Sequence, residues 1–129
     1  MYYLPQNLFG KLSIDSVYHY YDVPRAFLVS SNKLKKDKYL VFWTDESESG
    51  DTWYYALVNE REISRFEAGQ VQLRDVFLYK KIFEVVTPFD VDIESTVRGL
   101  AAVEVDDDAL PPEGVAICLA DDGWIVELP

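Results

Sequence analysis

Two stretches limit the fold of this chain more than anything else in it: Lys38–Thr44 (Lys-Tyr-Leu-Val-Phe-Trp-Thr) and Thr52–Val58 (Thr-Trp-Tyr-Tyr-Ala-Leu-Val). Both are dense in aromatic and β-branched residues, which suit a pleated surface. Successive side chains of a strand point to opposite faces. In the first stretch this puts Tyr39, Val41 and Trp43 on one face and Leu40 and Phe42 on the other. A strand that is apolar on both faces has to be covered on both. The acidic segment Asp45–Gly50, with its serines and glycine, reads as the turn between the two stretches. The spacing therefore predicts a central hairpin with Trp43 and Trp53 buried.

The flanking segments extend this sheet. Ile14, Val17, Tyr18 and Tyr21 fit helical spacing, but the run Val17–Tyr21 is rich in strand formers, and a strand is the better reading. A turn at Asp22-Val23-Pro24 leads to a second strand, Arg25–Ser31. Asn59 can cap a helix, and Glu62 three residues on completes a capping box. Val58 and Ile63 are placed to form a hydrophobic staple, and Gly69 is a natural left-handed end. In a second short helix, Leu73, Val76 and Phe77 share one face. Lys81–Thr87 then reads as a strand stopped by Pro88. Val97–Val105 reads as a weaker strand loosened by Gly99. Val115–Leu119 and Trp124–Leu128 flank Asp121-Asp122-Gly123, a strong hairpin signal. The expected fold is one α+β domain over residues 1–129. Its antiparallel, twisted sheet has six to eight strands, with short helices at about 59–68 and 72–78. The charge pattern marks 88–129 as an acidic subregion.

At 129 residues, with 49% hydrophobic side chains, the chain can fill one core. Its longest apolar run, Val115–Ala120, falls far short of the roughly 20 residues of a membrane span. The opening Met1-Tyr2-Tyr3-Leu4-Pro5 lacks the basic and apolar regions of a signal peptide. The single cysteine, Cys118, permits no intramolecular disulfide and fits a reducing compartment, the cytoplasm. The net charge of −11 is unevenly spread. Residues 1–80 carry 11 acidic and 10 basic side chains, net −1, whereas residues 81–129 carry 12 and 2, net −10. That balance counts against a nucleic-acid backbone or an anionic membrane as partner of the C-terminal part, and it is compatible with a basic partner or with simple solubility.

No catalytic, cofactor or metal motif stands out. His19 is the single histidine, and the acids and serine near it in sequence are ordinary for a polar hairpin. Cys118 sits in an apolar run away from any cation, the setting of a core thiol. Asp90, Asp92 and Glu94 match the first acids of a calcium loop. Ser95 then replaces the required glycine and Ala101 the closing glutamate, so the motif fails. Asp106-Asp107-Asp108 and Asp121-Asp122 lack ligand spacing as well. Lys33, Lys35, Lys36 and Lys38 form a small basic loop that reads as a solubilising hairpin tip guarding against edge-to-edge association, with phosphate or nucleic-acid contact as the lesser reading, lowered by the net charge.

The segments Tyr39–Glu46, Thr52–Val58, Glu60–Ile63 and Gly69–Phe77 (Gly-Gln-Val-Gln-Leu-Arg-Asp-Val-Phe) resemble a family of uncharacterised bacterial proteins. The resemblance covers roughly residues 12–87 and implies the same order of aromatic strands and short helices, with no activity attached. The function expected from the residues is a small bacterial protein–protein interaction module of regulatory, immunity or inhibitor type. Its binding surface would be drawn from Asp90, Asp92, Glu94, Asp106, Asp107, Asp108, Asp121 and Asp122. Two other readings stay open at this point. One is an enzyme or ligand-binding domain whose site the sequence hides; the other is an acidic nucleic-acid mimic that blocks a DNA-binding protein.

Overall fold

The structure is a computed structural model that describes residues 9–21, 23–78, 80–111, 115–118 and 124–127. Six strands form one antiparallel sheet in the order of the sequence: β1 (Leu12–Tyr21), β2 (Val23–Ser31), β3 (Lys38–Glu46), β4 (Gly50–Val58), β5 (Ile82–Pro88) and β6 (Thr96–Leu100). Helices α1 (Glu60–Glu67) and α2 (Leu73–Phe77) fall between β4 and β5. A separate hairpin pairs β7 (Val115–Cys118) with β8 (Trp124–Glu127). The backbone of β7 runs beside α1 and α2, and that of β8 beside β1.

The aromatic hairpin is central, as its two apolar faces require. Val41 opposes Tyr55, Phe42 opposes Tyr54, and Trp43 opposes Trp53 across β3 and β4. One face carries Leu28, Leu40, Tyr54, Ala56 and Ile82, and the helices cover it with Phe66, Leu73, Val76 and Phe77. The Phe66 ring meets Tyr18 edge to face at 5.5 Å, and Phe77 meets Phe42 at 6.2 Å. The other face buries Phe27, Val29, Val41, Trp53, Tyr55 and Val85. Phe9 seats there between Tyr39, Tyr55 and Phe83, with ring centres 4.8–5.7 Å apart.

The helix signals act as read. Asn59 Oδ1 accepts from the Glu62 N–H at 2.9 Å, and Glu62 Oε1 accepts from the Asn59 N–H at 3.2 Å. Gly69 adopts φ 72°, and the N–H groups of Gly69 and Gln70 reach the carbonyls of Phe66 and Arg65. Those two bonds make a Schellman end.

Two expectations need correction. The strand predicted from Val97 to Val105 ends at Leu100. There the Ala101 N–H donates to Glu104 Oε1, the chain turns through a 3-10 segment at Ala102–Glu104, and Leu110 re-enters the core. Trp53 is buried, but Trp43 is only half-buried. It lies near the end of the sheet, where the Arg25 guanidinium covers its ring at 4.4 Å.

Candidate interaction surface at one end of the sheet

In an antiparallel sheet whose strands follow one another in order, every connection leaving an odd strand lies at the same end. The β3–β4 turn and the β5–β6 loop therefore share one end, and the β2–β3 loop with the helical β4–β5 connection shares the other. Charge follows this parity. Asp45, Glu46 and Glu48, all exposed, stand beside the exposed Asp90, Asp92 and Glu94 at the first end. Lys33, Lys35 and Lys36, also exposed, stand at the second. The segment of net −1 thus supplies half of the acidic end.

The two acidic connections are joined. The Phe89 N–H donates to the Ser49 carbonyl at 2.8 Å, and Gly50 pairs with Pro88. A Cβ on Gly50 would lie 2.5 Å from the Thr87 carbonyl oxygen and 2.9 Å from the Pro88 Cα, so only glycine allows this approach. Within the β3–β4 turn, the Ser47 N–H donates to the Gly50 carbonyl at 2.8 Å, and Asp51 accepts from the Trp43 indole at 2.9 Å. In the β5–β6 loop, Asp90 Oδ1 accepts from the Asp92 N–H at 2.9 Å, and the Asp90 carbonyl accepts from the Ile93 N–H at 3.1 Å. At its foot, Ser95 Oγ is buried without a hydrogen-bond partner among the described residues.

Three large apolar side chains alternate with the acids of this loop: Phe89 is 52% exposed, Val91 95% and Ile93 58%. Among the described residues, none of Asp45, Glu46, Glu48, Asp90, Asp92 and Glu94 is ion-paired with a lysine or arginine.

The second predicted acidic cluster is a different object. Asp106 Oδ1 accepts from the Asp108 N–H at 3.0 Å and caps the 3-10 turn Asp107–Ala109. Arg74, on α2, pairs with the Asp107 carboxylate and donates to the carbonyls of Asp107 (3.2 Å) and Pro111 (3.1 Å). Tyr54, in the core of the helix-bearing face, lies close to the Asp106 backbone. The structure therefore does not merge Asp106–Asp108 with Asp90–Glu94 into one face. Asp121 and Asp122 lie outside the described residues.

His19 is exposed on β1, and Cys118 ends β7. The groups with shifted titration are tyrosines. Burial, and then the hydrogen bond to Glu67, push Tyr18 far up, and burial raises Tyr39 and Tyr54 as well. Each is a phenol held protonated inside the fold. Glu62, Arg65, Val71, Asp75 and Val76 line a shallow cleft of about 110 Å³. Small-molecule sites are usually about 300–1,000 Å³. Among the described residues no cluster of His, Cys, Asp and Glu is arranged to hold a metal, and no helix is long and apolar enough to cross a membrane.

Fold and surface together define an α+β protein: a six-stranded antiparallel meander, helices on one face, and a carboxylate-rich turn end interleaved with apolar side chains. The chain belongs to a family of unknown function (DUF6575), whose model matches residues 1–122. That match extends beyond both ends of the 12–87 resemblance and takes in most of the acidic segment. No curated protein and no solved structure matches the chain significantly.

Proposed function

We propose that this protein is a small protein-binding module that meets a basic partner with the turn end formed by the β3–β4 turn and the β5–β6 loop. The observation that carries the reading is the convergence there of Asp45, Glu46 and Glu48 with Asp90, Asp92 and Glu94, none of them paired to a lysine or arginine among the described residues. Unpaired carboxylates gathered on one rigid end create a field that steers a cationic partner and speeds encounter. Connections held by a sheet are where binding residues gather. The same field repels phosphate backbones and anionic lipid. A regulatory, immunity or inhibitor role in a bacterial cytoplasm fits the module's size, its single cysteine and its charge.

Site-resolved photo-crosslinking in producing cells tests this. A photoreactive residue at Glu48 or at Asp92 should trap the same protein from both positions. The same residue at Asp108 or Lys35 should not trap it. With the photoreactive residue at Glu48, changing Asp90 and Asp92 to Asn, with Glu94→Gln, should abolish the adduct. Equal trapping from all four positions, or trapping indifferent to the three substitutions, would refute the reading.

A further inference from the structure

We propose that Phe89, Val91 and Ile93 are the anchors of this surface, and that they seat in an apolar strip of a partner protein flanked by lysine or arginine side chains. The inference rests on the reading above and names the partner's chemistry. Single exposed apolar residues are ordinary on any protein. Here three stand within five positions, more than half exposed, on a loop that sends no side chain into either core. Apolar groups rimmed by polar ones mark interaction sites.

The loop is also pre-shaped. The Asp90 carboxylate caps it from within, Phe89 is tied to Ser49, and the contact at Gly50 fixes where it leaves the sheet. A pre-shaped loop loses little freedom on binding. Charge then selects the occupant. Asp90, Asp92 and Glu94 alternate with the three anchors, so each apolar contact is bordered by a carboxylate. A second copy docking through the same end would set like charges against each other. An anionic lipid surface would meet the same repulsion. A cationic amphipathic protein segment satisfies both features at once.

A synthetic amphipathic helical peptide of leucine and lysine is the probe. Titrated into the ¹⁵N-labelled full-length protein, it should shift amides of residues 48–50 and 89–95. The triple change Phe89→Ser, Val91→Ser and Ile93→Ser should weaken its binding by about tenfold or more. A lysine-only peptide should bind the wild type and the triple variant equally and weakly. If the triple variant fails to fold, Val91→Ser alone serves, because that side chain is 95% exposed; it should weaken binding about threefold. The proposal is overturned by any of four results. These are serine variants that bind the peptide like wild type, a lysine-only peptide that binds as tightly, shifts centred on Asp106–Asp108, or Val91-dependent binding to zwitterionic lipid vesicles without peptide binding. Cells that supply no crosslinked partner would sink the proposed function and leave this chemistry standing. Serine variants that keep peptide affinity would do the reverse.

Discussion

Asp90–Glu94 and Asp106–Asp108 are alike in composition and opposite in structure. The first segment leaves the end of β5, turns on its own Asp90 carboxylate and returns as β6 with its side chains in solvent. The second lies over the helix-bearing face, and the chain beyond it dives into the core at Leu110. Arg74 then fastens it through two backbone carbonyls and one carboxylate. An acidic run is therefore available to a partner only where the chain around it stays outside. Once the chain re-enters the core, the same charges become part of the anchoring.

The largest effect should come from the core end of the second segment. Leu110→Ala should cost about 2–5 kcal/mol in a urea melt, as a buried large-to-small change. A loss under about 1 kcal/mol would remove the core anchor from the comparison.

Arg74→Met should come next, at about 1.5–3 kcal/mol, because a mostly buried guanidinium leaves two carbonyls unserved. Asp107→Asn should cost under about 1 kcal/mol, because the Asp107 side chain is 84% exposed. The opposite ranking would make the ion pair, rather than the carbonyl bonds, the clasp.

Tyr54 gives a smaller effect with a pH signature. Burial, and then the Glu84 carboxylate, raise its pKa in the fold. The unfolded chain therefore loses its phenolic proton first, near pH 10, and stability falls as pH rises above that value. Tyr54→Phe should cost no more than about 1 kcal/mol at pH 7, because the ring and its packing are kept. It should also flatten the alkaline decline, with Tyr18 and Tyr39 still contributing in the same direction. A melt series in which Tyr54→Phe keeps the full alkaline slope would place that sensitivity elsewhere.

Smallest of all, Val91→Ser should move stability by no more than about 0.5 kcal/mol, because nothing packs on a side chain 95% exposed. A larger loss would mean that the β5–β6 loop is structural after all.

Much of the fold was legible because its signals are local. Residue pairs two apart set the faces of Lys38–Thr44, and residues three apart set the Asn59–Glu62 box. What escaped the sequence depends on distant partners. Trp43 is only partly buried because it lies near the end of the sheet, where a guanidinium from the neighbouring strand, Arg25, covers its ring in place of core side chains. The end of β6 at Leu100 comes with Glu104 serving the Ala101 N–H. The candidate surface was legible by half. Asp90, Asp92 and Glu94 announce themselves as charge, and Val91 and Ile93 as the apolar partners of an alternation. Their union with Asp45, Glu46 and Glu48 depends on counting strands, which fixes which turns share an end. The clasp on Asp107 was invisible because Arg74 lies 33 residues earlier.

The strand order has a consequence for how the chain is made. Every strand of the main sheet pairs with the strand just before it, and only the two helices intervene between β4 and β5. As the chain is synthesised, each new strand meets a partner that already exists. Apart from the helical β4–β5 connection, the loops to be closed are short, which keeps the entropic cost of each pairing low. The sheet can therefore grow outward from β1 like a folded ribbon, with the acidic β5–β6 loop among its last parts to form. Pulse-labelled hydrogen exchange should show protection spreading from β1–β4 towards β6, and simultaneous protection of all six strands would argue instead for a single concerted closure.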